Sequence, residues 1–153
     1  MALNKFPHSK GTYVLVVKVN FNKTLSIGKL GKFTFIVGYY FYIGSSFGPG
    51  GLRARLNRHL SQHKNLHWHI DYLVKYGQIK QVWYNISPVQ QEHRWAQVFS
   101  ILPSVEPAVK KFGASDCRCL THLFYTASSN VHHIFESFCR RISKAPVQKV
   151  ILT

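Results

Sequence analysis

The chain has five carboxylate side chains, few enough for each to be asked what chemistry it could do. Asp71 stands four residues before Lys75 on the polar side of a helical stretch, where such a pair meets in water. Glu136 and Arg140 repeat that arrangement. Glu106 lies in a loop between Pro103 and Pro107, and Asp116 sits in a Gly-Ala-Ser-Asp turn, where aspartate serves backbone amides. Glu92 differs from these four. At 100° per residue it falls between Ala96 and Phe99, with Trp95 and Leu102 on the same side. A carboxylate on an apolar face must be paired, protonated or holding a cation, unless it is a first-turn glutamate favoured by the helix dipole. Of the five, Glu92 is the best candidate for a metal ligand.

The cationic and aromatic candidates are less distinctive. Arg55, His59 and His63 follow one another at i, i+4 and i+8 along one border of a leucine stripe. Such a ridge can contact phosphate, with arginine forking two oxygens, or it can be a helix flank that reaches into water. Arg58 points away from the stripe as a solvated charge. Tyr13 and Tyr42 fall in strand-like segments, where packing alone explains an aromatic side chain. Cys117, Cys119 and His122 have the residue types of a zinc site, which His67 or His69 could complete. On a strand, however, Cys117 and Cys119 face one side and His122 the other, so buried thiols and a packed histidine are expected instead. His67-Trp68-His69 forms a patch able to stack on bases or on core residues.

The elements that must position these residues follow from hydrophobic period. Residues 13–19 read as a buried strand, and 25–45 as strands with glycines at a turn and a bulge. Gly48-Pro49-Gly50-Gly51 ends the strand, and 52–63 takes up a helical period on Leu52, Leu56 and Leu60. Asn65 can cap a second helix carrying Leu66, Ile70, Leu73 and Val74 and ending near Gly77. A short strand at 82–86 precedes a helix opened by Ser87-Pro88-Val89-Gln90 and running to about Leu102. A loop at 112–115, a strand at 119–126 and an amphipathic helix at 130–142 complete the pattern. Strands first and interleaved helices afterwards indicate an α+β fold, a small central antiparallel β-sheet flanked by helices.

Composition bounds the function. Twenty Lys+Arg against five Asp+Glu leave a formal net charge of +15, with 46% hydrophobic and 14% aromatic residues. The aromatic content excludes a disordered basic tail, and the shortage of acids excludes calcium cages and multi-acid metal clusters. A polyanion is the expected partner. Nothing divides residues 1–153 into more than one domain. Three cysteines and a polar N-terminus indicate a cytoplasmic protein. The longest apolar stretch, 33–43, is far short of the roughly 20 residues that span a bilayer, so no membrane association is expected.

One ordered set of residues resembles a known family. Gly11-Thr12-Tyr13, then Tyr42-Ile43-Gly44, Arg55 with His59, and an isolated Glu92 opening a helix are similar to the GIY-YIG nuclease superfamily. Similarity is closer to its Uri-type endonuclease branch, through residues 38–51, His67-Trp68-His69-Ile70-Asp71-Tyr72, residues 112–119 and His122-Leu123-Phe124. The match covers roughly residues 10–126, leaving a C-terminal helix and basic tail at 130–153. Departures are Thr12 in place of isoleucine, a long gap between Tyr13 and Tyr42, and Ser45 where some relatives carry lysine.

The resemblance implies a three-stranded antiparallel core with added strands, and an endonuclease that hydrolyses phosphodiester bonds in DNA, with RNA also possible. In that scheme Tyr13 activates water with help from Tyr42, and Arg55 stabilises the transferring phosphate. His59 binds phosphate or moves a proton, and Glu92 holds Mg²⁺ or Mn²⁺. Arg53, His63, His67 and His69 are further candidates for contacting nucleic acid. A tyrosine with its ordinary pKa near about 10 is a poor base, so the scheme needs nearby positive charge to lower it. The alternative is a catalytically inactive DNA- or RNA-binding protein on the same scaffold.

Overall fold

Residues 11–19 are apolar or β-branched almost throughout, and such a run suits a strand buried on both faces. That strand, β1 (Gly11–Val19), lies at the heart of the computed structural model, which describes residues 5–114, 119–142 and 146–152. Its successors are β2 (Lys23–Ile27), β3 (Gly31–Phe35), β4 (Gly38–Ser46), α1 (Gly51–Leu60) and α2 (His69–Tyr76). After them come β5 (Gln78–Ile86), α3 (Glu92–Phe99), β6 (Glu106–Pro107), β7 (Leu123–Thr126), α4 (Val131–Arg141) and β8 (Gln148–Ile151).

Six strands form one antiparallel sheet in the order β6-β7-β4-β1-β5-β8, and β2 pairs with β3 as a separate hairpin. β1 pairs along its whole length with β4, from Gly11 opposite Ser46 to Val19 opposite Gly38. On its other side it pairs with β5, with a register shift between Val16 and Val17. Side chains alternate across a strand. Tyr13, Leu15 and Val17 therefore enter one core, with α1, α2 and the β2-β3 hairpin. Val14 and Val16 enter a second core, where Trp83, Trp95, Phe99 and Phe138 pack under α3 and α4. The result is a central antiparallel sheet between helical layers, as the element pattern implied. Pairing runs without interruption across six strands, so the three-stranded core implied by the resemblance is not supported as a distinct unit.

Several boundaries depart from the sequence expectation for traceable reasons. α2 begins at His69 rather than after Asn65, whose carbonyl accepts from Arg58. Ser87 does not cap α3: its hydroxyl bonds locally to Val89, and the helix starts five residues later at Glu92. Gln91 is fixed by a tertiary bond, its N–H donating to Thr12 Oγ1, and its side-chain oxygen accepts from Trp95 Nε1 in the same helix. Residues 119–122 are not strand, because His122 instead exchanges backbone bonds with Phe112 and Ile43. The basic tail supplies an edge strand, β8, and Glu106 begins β6 rather than lying in a loop. Glu136 meets His132 at 3.5 Å, while Arg140 donates to Ser137 Oγ. Among the described residues, no helix is long and apolar enough to cross a membrane.

The closeness of β1 to β4 has a local requirement. Tyr13 lies opposite Gly44, and a methyl group built on Gly44 would stand 2.5 Å from the Tyr13 hydroxyl. Gly44→Ala should lower unfolding free energy by about 1–3 kcal/mol, the usual cost of overpacking. Urea titration should show an earlier midpoint with an unchanged slope.

Candidate functional site

Tyr13 projects from the middle of the sheet towards α1, which the glycines at 50 and 51 allow to start close against the N-terminal segment. Gly51 has φ +58°, and an added methyl there would collide with the carbonyl of His8. From α1, His59 reaches the Tyr13 hydroxyl, with 2.7 Å between that oxygen and Nε2. Both residues are 1% exposed. Burial pushes the Tyr13 phenol well above its ordinary range, more than the neighbouring Arg55 guanidinium pulls it down. Tyr42, set beside His59, is also driven up by burial. Burial lowers His59 to about 3, with Arg55 adding in the same direction. The neutral phenol and the neutral imidazole share this hydrogen bond. His59 Nδ1 has no hydrogen-bond partner among the described residues.

Asp71 was expected to pair with Lys75 in solvent, and Arg58 to be solvated alone; the structure buries the one against the other. Asp71 is 1% exposed and takes both guanidinium nitrogens of Arg58 at 3.0 Å. It also accepts from the backbone N–H groups of His67 and Trp68 at 2.9 Å. Burial acts to raise its pKa, but these donors outweigh it and hold the carboxyl below its ordinary range. The available sequence signal was an acidic residue in the first turn of a helix, where it can reach back to preceding amides. Arg58 and Arg55 both stack on the Trp68 ring, at 4.1 and 4.4 Å from its centre. Arg55 also donates to the Ser45 carbonyl at 3.1 Å.

Glu92 is the acid that the helical period singled out, and it is paired. Ser45 Oγ donates to one oxygen at 2.6 Å, and His122 Nδ1 stands 2.8 Å from the other. Gln90 Nε2 donates to Ser45 Oγ in turn. Burial tends to raise Glu92, yet the His122 and Ser45 contacts prevail and keep it ionised. Beside it, His93, Cys119 and His122 bring one donor atom each within 4.8 Å of one another. His93 Nδ1 is 3.0 Å from Cys119 Sγ. The Cys119-x-x-His122 spacing was legible in the sequence, whereas His93 comes from another element and was missed. Cys117 and Asp116 lie outside the described residues.

Of the sequence candidates, Tyr13, Tyr42, Arg55, His59 and Glu92 do gather between α1 and the end of β4. The others disperse. Arg53 turns to the N-terminal segment, binding the Phe6 carbonyl at 2.7 Å and His8 at 2.8 Å. His69 Nδ1 accepts from the Gly113 N–H, and exposed His67 leans on Trp68. His63 lies on the wall of a cleft of about 970 Å³ at the far end of α1. Lys5, Lys64 and Lys75 line that cleft too, and His59 borders it from the Tyr13 cluster.

A family model described as "Domain of unknown function DUF123" matches residues 12–144. No match to the chain is found among curated proteins or among solved structures. The family match replaces the resemblance to the GIY-YIG superfamily and its Uri-type branch, and with it the identification as an endonuclease of that type. The local physics agrees with that correction. The proposed base needed a lowered phenol pKa, and burial moves both tyrosines the other way. The assignment of Mg²⁺ or Mn²⁺ to Glu92 is also overturned, since protein groups already face both carboxylate oxygens. The neighbouring donor set of two imidazoles and a sulfur is of a zinc type, not one suited to a hard cation.

Two outcomes follow for stability. The unfolded chain protonates His59 near its ordinary pKa of about 6.5, whereas the folded protein resists until about 3. Stability is therefore complete above the unfolded value and should fall by about 1.4 kcal/mol per pH unit below it. Urea midpoints between about pH 7 and about pH 5 should show this slope, and His59→Gln should flatten it. Asp71→Ala should cost about 3–5 kcal/mol in the same assay, because it strands Arg58 and two backbone amides.

Proposed function

The chain belongs to the DUF123 family of unknown function, and on that premise we propose that it is a nucleic-acid-binding protein which holds DNA or RNA through the phosphate backbone without cutting it. The observation that carries this reading is the cleft beyond α1, with Lys5, Lys64, Lys75 and His63 on its walls. Asp71, the one acid among the described residues that line it, is already paired with Arg58. A strand of phosphates is the ligand that such a lining fits, since every neutralised phosphate also releases a condensed counterion.

Three features support binding as opposed to hydrolysis. The tyrosines beside Arg55 stay protonated, His59 is neutral and hydrogen-bonded to Tyr13, and Glu92 is engaged by Ser45 and His122. Arg55 is half-buried and kept in place by Ser45 and Trp68, so it presents a fixed charge from the middle of the same helix. Exposed His67 adds a flat face able to take a base, the sequence-tolerant part of single-strand recognition.

Fluorescence anisotropy with single- and double-stranded DNA and RNA oligonucleotides tests the reading. Affinity should fall linearly on a log–log plot against salt. Lys5→Ala, Lys75→Ala and Arg55→Ala should each reduce the slope by about 0.7–0.9, one phosphate contact apiece. The four probes report which nucleic acid is preferred. Absence of binding at low salt, or variants with the wild-type slope, would remove the proposal.

A further inference from the structure

We propose that His93, Cys119 and His122 form a binding site for one divalent transition-metal ion of the zinc class. Donor chemistry comes first: two imidazole nitrogens and a thiolate favour zinc and its neighbours over magnesium or calcium. The residues arrive from two separate parts of the chain, His93 from the first turn of α3 and the other two from the loop before β7. Contact between such distant segments is specified by the fold and not by neighbourhood in sequence. Their donor atoms already lie within 4.8 Å of one another. Bonds of about 2.0–2.1 Å to nitrogen and about 2.3 Å to sulfur imply tetrahedral edges of roughly 3.4–3.7 Å. The widest separation must close by about an ångström and the 3.0 Å between His93 Nδ1 and Cys119 Sγ must open slightly, and the exposed His93 side chain can supply both by rotation.

The surroundings have the second requirement of a metal site, an orienting partner. Metal-bound histidines commonly give their other ring N–H to a carboxylate, which fixes the ring and raises its basicity. His122 is buried and turns Nδ1 to Glu92 Oε2 at 2.8 Å, so ligation falls to Nε2. Glu92 is itself held by Ser45, whose backbone carbonyl receives Arg55. The site is also reachable. His93 is exposed, and with Cys119 it lines a cleft of about 460 Å³ whose walls include Ala96, Leu120 and Phe124. On binding, the Cys119 thiol releases its proton and the thiolate becomes the ligand. Glu92 therefore acts as a positioning residue for the metal and not as its ligand. The site rests on its own geometry, independent of the nucleic-acid reading.

The test is metal titration of the full chain after treatment with chelator and reductant. Calorimetry with Zn²⁺ should give one site. Co²⁺ should produce the near-ultraviolet charge-transfer band of a thiolate ligand. Cys119→Ser should abolish that band and His93→Gln should weaken binding at least tenfold, the latter at an exposed side chain that folding does not need. Glu92→Gln should keep the band while lowering affinity about 10–100-fold, as loss of an outer-shell partner does. Cys139→Ser should change nothing. A cobalt spectrum without the thiolate band, or zinc affinity equal in wild type and His93→Gln, would overturn the site.

Discussion

A carboxylate taken out of water has to be surrounded by donors, and Asp71, the most deeply buried acid described, sets the arrangement around it. Its oxygens collect Arg58 and two backbone amides. That one cluster joins the last turns of α1 to the start of α2 and brings Trp68 under the guanidiniums of Arg55 and Arg58. Fixing Arg55 in this way, with the Ser45 carbonyl as its second anchor, leads directly to the end of β4, beside which Glu92 is held. An ion pair this buried is weak evidence for net stability, but removing one partner would be costly, so it specifies the packing of the two helices.

The same interior use of acids explains the electrostatics outside. A chain with five carboxylates that spends Asp71 and Glu92 on internal donors has little left to offset twenty lysines and arginines. Positive charge then gathers in the lysine-lined cleft beyond α1, while burial keeps Tyr13 and His59 neutral at its border. Desolvation prevails at these two groups because both are 1% exposed and their shared hydrogen bond satisfies the neutral forms. Residues that look suited to proton transfer in the sequence become packing and positioning groups once they are removed from water.

The sequence made part of this arrangement legible. Hydrophobic period located β1, α1 and α4, because each carries a continuous apolar face; the structure adds Asn130 as the cap of α4, its side chain accepting from His133 N–H. It also isolated Glu92 as the acid that packing could not accommodate. The period failed at α3, where Ser87-Pro88 carries the local signature of a helix start. A tertiary bond from the Gln91 N–H to Thr12, joined by the Trp95 indole N–H on the Gln91 side chain, sets the start at Glu92. It failed again at Cys119 and His122, since strand alternation was assumed for a segment that is in fact a loop.

Charge balance and the α+β class were determined by the sequence alone, since both depend on composition or on spacing within one element. Partnership was decided by tertiary structure. Asp71 with Arg58, Glu92 with Ser45 and His122, and His93 with Cys119 each join residues from different elements. No local period encodes such pairs. Whether a titratable group is charged depends on its burial and on the donors brought to it from elsewhere in the chain, and folding supplies both.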